Sequence, residues 1–105
     1  GEKNQNLYYS FREYIMSLGD DISENQLKYY VAFKKSKNVA CVEVYQSGLV
    51  VHLKLNPESV ELFPNFIEDD SKKGHWGTGE LKVIIKNAED FEKIQPLIDR
   101  AYNEN

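Results

Sequence analysis

The residues able to do chemistry are few: two histidines, one cysteine and a scatter of carboxylates. His75 lies in "KKGHWGTGELKV", Lys72 to Val83, where three glycines, a histidine and the chain's one tryptophan fall within six consecutive positions. Imidazole titrates near physiological pH, so His75 could act as a general acid or base or hold a metal. A metal needs three or four converging ligands. The available donors (His75, His52, Asp69, Asp70, Cys41) follow no ligand spacing, so neither a metal nor a cofactor is expected. Cys41 with His52 is a conceivable nucleophile and base. A cysteine inside a strand is more often an inert small apolar residue, and a nucleophile needs an electropositive, accessible setting. No catalytic residue is therefore assigned.

Gly74, Gly77 and Gly79 spell G-x-x-G-x-G. Phosphate-binding glycine loops run from a strand into a helix, whose N-terminus meets the anion. Here an alternating, strand-like segment follows, and Glu80 stands after the last glycine, so both the dinucleotide and the P-loop patterns fail. The expected role is a tight turn around Trp76 that feeds a strand, with His75, Trp76 and Thr78 lining a binding site in the alternative reading.

The elements that would position these groups follow from periodicity. Residues 1–6 are polar and are expected to fray. Leu7, Phe11, Ile15 and Leu18 recur at helical spacing and Gly19 follows, predicting a helix over Asn4–Leu18. "DDISENQ" reads as a connecting loop. "KKSKN" and "QSG" divide the next thirty residues into three strands. With Ser47-Gly48 as the hairpin loop, Val44 faces Val51, Val42 faces Leu53, Glu43 faces His52, Cys41 faces Lys54 and Tyr45 faces Val50. The earlier turn aligns Phe33 with Ala40 and Val31 with Val42. "NPESVEL" offers an N-cap and a short helical turn, "NFIEDD" a short strand, and Leu81–Lys86 a further strand. Phe91, Ile94, Ile98 and Ala101 mark a last helix, capped by Asn87 and interrupted by Pro96, which should kink or split it. The expected fold class is a two-layer α+β domain. It has a mainly antiparallel sheet of four to five strands with an N-terminal and a C-terminal helix packed on it, in the order α-β-β-β-(β)-β-α.

That pairing leaves a second, mixed face carrying Tyr30, Cys41, Glu43, Tyr45, His52 and Lys54. Such a face could bind a ligand or partner, or be the solvated side of a half-buried sheet. Lys28, Lys34, Lys35 and Lys37 beside Tyr29 and Tyr30 suit single-stranded nucleic acid, but a lysine-rich hairpin tip also keeps a sheet edge soluble. "IEDDS" reads as a solvated loop.

Composition narrows the field. The 105 residues make one domain, 41% apolar and 12% aromatic, with 13 basic against 17 acidic side chains and a net charge of -4. A broad electrostatic grip on nucleic acid is disfavoured, and a local basic patch is not. One cysteine precludes an intrachain disulfide and reads as cytosolic usage; no apolar run approaches a membrane span. The chain opens on Gly1, which reads as a processed start and as a module excised from a longer protein.

Taken together, "KYYVAFKKSKNVACVEV", "LVVHLKLNP", "GHWGTGELKV" and "LIDRAY" resemble an uncharacterised bacterial domain-of-unknown-function family with a GHWGTG-type turn. The resemblance spans about Leu7 to Tyr102, with Glu80 standing where an Asp is common. Its members are often C-terminal to restriction-endonuclease-like domains, and some bear the label "predicted transport protein". A fainter similarity, through His75, Trp76, Thr78, Leu97, Ile98 and Tyr102, is to the YjbR-like family, also α+β. The resemblance implies no catalytic residue.

The resulting expectation is a non-enzymatic cytoplasmic accessory or binding module. Its partner would be a protein domain or small ligand, held by His75, Trp76, Thr78, Tyr30, Glu43, Tyr45 and His52. One alternative is a nucleic-acid-binding module using Lys28, Lys34, Lys35 and Lys37. A second is a small enzyme pairing His75 with a nearby carboxylate.

Overall fold

The computed structural model describes residues 2–72 and 80–105. Helix α1 runs over Glu2–Met16 and buries Leu7, Phe11 and Ile15, the stripe that the periodicity marks. It starts earlier than predicted because Asn4 is no frayed residue. Its amide is buried and donates to the carbonyls of Tyr45 and Gln46, both at 2.6 Å, pinning the first turn to a hairpin. The helix also ends earlier, and Gly19 serves a different purpose. A Cβ there would lie 1.9 Å from the Tyr102 hydroxyl, so the glycine makes room for the last helix.

Six strands follow: β1 Ser23–Gln26, β2 Val31–Lys34, β3 Asn38–Tyr45, β4 Gly48–Leu53, β5 Ile67–Asp69 and β6 Leu81–Ile85. They form one antiparallel sheet in the order β1-β2-β3-β4-β6-β5. Strand β1 falls in the segment expected to be a loop. Its sequence, Ser-Glu-Asn-Gln, has no apolar alternation, since an edge strand with most side chains in water needs none. A short 3-10 turn, Pro57–Ser59, is capped by the Asn56 side chain as expected. Helix α2 spans Ala88–Glu104 with Asn87 as its cap and passes through Pro96 unbroken. Pro96 and Glu92, the residue whose carbonyl it leaves without an amide donor, are both exposed, so water can satisfy that group.

The β2–β3 pairing matches the prediction, with Phe33 opposite Ala40 and Val31 opposite Val42. The β3–β4 pairing does not. Tyr45 pairs with Gly48 around a Gln46–Ser47 loop, so Val42 meets Val51, Ala40 meets Leu53, Glu43 meets Val50 and Cys41 meets His52. The offset is two residues, which keeps every side chain on its predicted face and changes only its neighbours. Gly48 opens β4 instead of sitting in the loop, and both its backbone angle and the neighbouring strand call for glycine there. It sits at φ 143°, and a Cβ would lie 2.4 Å from the Ile85 carbonyl oxygen. Val44, expected opposite Val51, faces Leu49 at the end of the ribbon and is 48% exposed.

One face of the sheet carries Phe33, Ala40, Val42, Leu49, Val51, Leu53, Leu81, Val83 and Ile85, all fully buried. Both helices lie on it and share one core with these residues. Phe11 stands at its centre, 5.6 Å from Phe33 and 6.5 Å from Phe91 between ring centroids. No described helix covers the opposite face.

Candidate functional site

Strand alternation turns Ala32, Cys41, Glu43, Val50, His52, Lys82, Ile84 and Glu68 onto that second face, and the register aligns Ala32, Cys41, His52, Lys82 and Glu68 in one row across five strands. Polar side chains here were expected to be solvated or ligand-facing. Several are instead buried: Glu43 is 7% exposed, His52 3% and Asp70 4%, with Cys41 and Ala32 beside them.

The three titratable groups form one cluster. His52 Nε2 lies 3.4 Å from Glu43 Oε2, and His52 Nδ1 lies 3.5 Å from Asp70 Oδ2. Glu43 comes from the diagonal position on β3. Asp70 continues β5 by one step: its amide donates to the Glu80 carbonyl at 2.8 Å, and its carboxylate reaches across β6 to the ring. The Tyr45 hydroxyl donates to Glu43 Oε1. That hydrogen bond, helped by burial and by the carboxylate's charge, holds the Tyr45 phenol above its ordinary range. Lys82 faces solvent more openly and reaches Glu68 at 3.9 Å.

Burying three ionisable groups costs several kcal/mol for each ion. Against this, opposite unit charges about 3.5 Å apart would attract by roughly 5 kcal/mol per contact at an effective dielectric near 20. A buried cluster of this kind is seldom more stabilising than well-packed apolar side chains of the same size. The arrangement constrains chemistry as well. Each ring nitrogen lies nearest a different carboxylate, on opposite sides of the ring. Among the described residues no group of three His, Cys, Asp or Glu has the geometry to hold a metal ion.

Of the residues expected to bind a ligand, the structure brings Glu43, Tyr45 and His52 together. Tyr30 immediately precedes β2, and extending the β2–β3 register by one residue places it beside Glu43. His75, Trp76 and Thr78 lie outside the described residues. Sequence reasoning missed Asp70 as part of this group, reading "IEDDS" as a solvated loop. The signal was there in the alternation Ile67-Glu68-Asp69-Asp70, but only the pairing of β5 with β6 says which carboxylate turns inward.

Of the four lysines, Lys35 is engaged within the fold. Lys34 and Lys37 are exposed, and the Lys28 ammonium lies 5.2 Å from the Tyr29 ring centroid. Lys35 turns towards the end of α2. Its ammonium sits 4.3 Å over the Tyr102 ring, donates to the Tyr102 carbonyl at 3.1 Å and lies 3.8 Å from Asp21. On the helix side of the sheet, an open cleft of about 350 Å³ is lined by Lys3, Asn6, Leu7, Ser10 and Ala88. Among the described residues no helix is long and apolar enough to cross a membrane.

Comparison with known proteins adds a family and a relative. The family described as "Domain of unknown function (DUF5655)" matches residues 1–105. A protein of Haemophilus influenzae described as "Uncharacterized protein" is 34% identical over 97 residues, which are 92% of this chain and 32% of that protein. The chain thus spans about a third of the length of that relative. No solved structure matches the chain.

Proposed function

We propose that this chain, which belongs to the DUF5655 family of domains of unknown function, is a recognition module without chemistry of its own. Its proposed binding face is the side of the sheet that no described helix covers, centred on Glu43, His52 and Asp70, with Tyr45 and Tyr30 at its margin. One observation carries the reading: three ionisable side chains are buried on that face where apolar ones would stabilise the fold about as well. The pairing of both ring nitrogens with carboxylates supports binding over catalysis, because a general base needs a nitrogen turned to the substrate. The setting we propose is the cytosol, which the single cysteine favours, within a longer bacterial protein whose other part is nuclease-like. The length of the Haemophilus influenzae relative supports a module of that kind. The nucleic-acid reading has less support, since Lys35 is committed to Asp21 and Tyr102.

The test is a titration of the ¹⁵N-labelled protein with a library of polar fragments and, separately, a short single-stranded oligonucleotide. The expected result is amide shifts at Glu43, Tyr45, Val50, Lys82 and Ile84 with at least one fragment, lost in Glu43→Gln. Shifts confined to Lys28, Lys34 and Lys37 with the oligonucleotide, weakening as salt rises, would replace this reading with the nucleic-acid one. Shifts only along Lys3, Asn6 and Ser10, or none, would overturn it.

A further inference from the structure

A neutral imidazole has one N–H and one bare nitrogen lone pair. His52 has a carboxylate at each end of its ring, 3.4 Å from Nε2 and 3.5 Å from Nδ1. Either neutral tautomer would turn its lone pair on a carboxylate oxygen, with little water to soften the repulsion. Both contacts are ion-pair distances, and Nδ1 does not meet hydrogen-bond geometry with Asp70, so the attraction at that end is one of charge, which the imidazolium alone supplies to both carboxylates. We propose that His52 is held as an imidazolium through neutral pH, and that its proton is a clip fastening the β5 edge, through Asp70, to the middle of the sheet. The inference goes beyond the binding reading and holds whether or not the face takes a ligand.

The topology gives the clip its purpose. Strand β5 has three residues and a neighbour on one side only, β6. The Asp70–His52 contact spans β6 and reaches β4, so it ties the edge to a strand it does not pair with. Among the described residues, the groups that face His52 come from three elements. Cys41 and Glu43 lie on β3, Lys82 lies opposite on β6, and Asp70 follows β5; Lys54 is two residues further along its own chain. Lys82 opposes the imidazolium, but it is shared with Glu68, and among the described residues two carboxylates lie closer to the ring. Both helices lie on the far face.

The sign follows. In the unfolded chain the histidine titrates near its ordinary value of about 6.5. The flanking carboxylates favour the charged form, so the folded protein releases this proton at higher pH. The clip is complete below the unfolded value and is lost as pH rises through the folded one.

Two-bond ¹H–¹⁵N spectra of the imidazoles between pH 5 and 10, assigned with His52→Gln, read the proton directly. The expected spectrum at pH 7 shows both ring nitrogens of His52 protonated, with a midpoint at least about one unit above the ordinary value. Amide exchange reads the clip. Corrected for the intrinsic rate, exchange at Asp70 and at Ile84, whose amide donates to the Phe66 carbonyl at 2.9 Å, should quicken at least tenfold across that midpoint. Exchange at Val42 and Val51 should not. Cys41→Ala should leave the transition in place, excluding the thiol as its source, and His52→Gln should abolish it. A neutral ring at pH 7, or a transition that survives His52→Gln, would overturn the proposal.

Discussion

The two faces of this sheet come from the same alternating strands and solve burial in opposite ways. On the helix-covered face Val42, Val51, Leu53, Val83 and Ile85 lie in a dry core that needs no specific partner for any atom. On the other face, one residue away along each strand, Glu43, His52 and Asp70 are also buried, but as ionisable groups in contact with one another. Apolar burial is tolerant: a methylene can be moved and the core adjusts. Ionic burial is conditional, because each group is affordable only while its partners stay. The first face therefore accounts for the fold's stability, and the second is where a constraint other than stability shows.

The largest effect should come from the tolerant face. Phe11 is fully buried between Phe33 and Phe91, at the junction of both helices with the sheet. Phe11→Ala should lower the unfolding free energy by about 4 kcal/mol through lost burial and a residual cavity. Urea titration followed by circular dichroism measures it. A loss under about 1 kcal/mol would mean that this core is not where the fold is held.

Next comes the conditional face. His52→Leu takes the imidazole from between two buried carboxylates and should cost about 3 kcal/mol. Replacing all three, as Glu43→Met with His52→Leu and Asp70→Leu, should bring stability back to within about 1 kcal/mol of the original protein. A core triad would behave in the reverse sense, with each further truncation adding to the loss. If the triple variant is less stable than His52→Leu alone, the cluster is a stabilising element and the contrast between the faces disappears.

The sequence makes the first face legible and only half of the second. Apolar period two and period 3.6 are strong signals, so Val42, Val51 and Leu53 are recognisable as core and Phe11 as a helix's inner stripe. The face on which Glu43, Tyr45 and His52 sit was equally readable, because a two-residue offset in register preserves it. What could not be read was which polar residue touches which. Gly48 lies against the backbone of β6, a contact between residues far apart in sequence that no local turn signal reveals. Asp70 joins the cluster because β5 pairs with β6, and nothing local in "IEDDS" separates the inward carboxylate from the outward one. Strand β1 was invisible for a related reason: a polar edge strand is specified by its neighbour β2, with no pattern of its own.

The smallest effect belongs to the rim of the apolar face, where charge meets water. Glu24 on β1 pairs with Phe33 and so points to the helix side, where it accepts from the Tyr8 hydroxyl and from Arg12 Nε at 2.8 Å. Burial pushes this carboxyl up, but the two hydrogen bonds and the charge of Arg12 outweigh it and hold Glu24 below the usual glutamate range. The Arg12 side chain is 41% exposed, so solvent screens the pair far more than it screens His52. Glu24→Gln should therefore cost only about 0.5–1 kcal/mol at pH 7. A carboxyl lowered on folding stabilises the native state above its unfolded value, near 4.3, and that contribution fades as pH falls through the lower folded value. The stability curves of Glu24→Gln and the original protein should accordingly run parallel from pH 7 to 5 and converge below about pH 4. A gap that persists undiminished into acid would assign the loss to packing against Tyr8, and the rim would then resemble the core more than the ionic face.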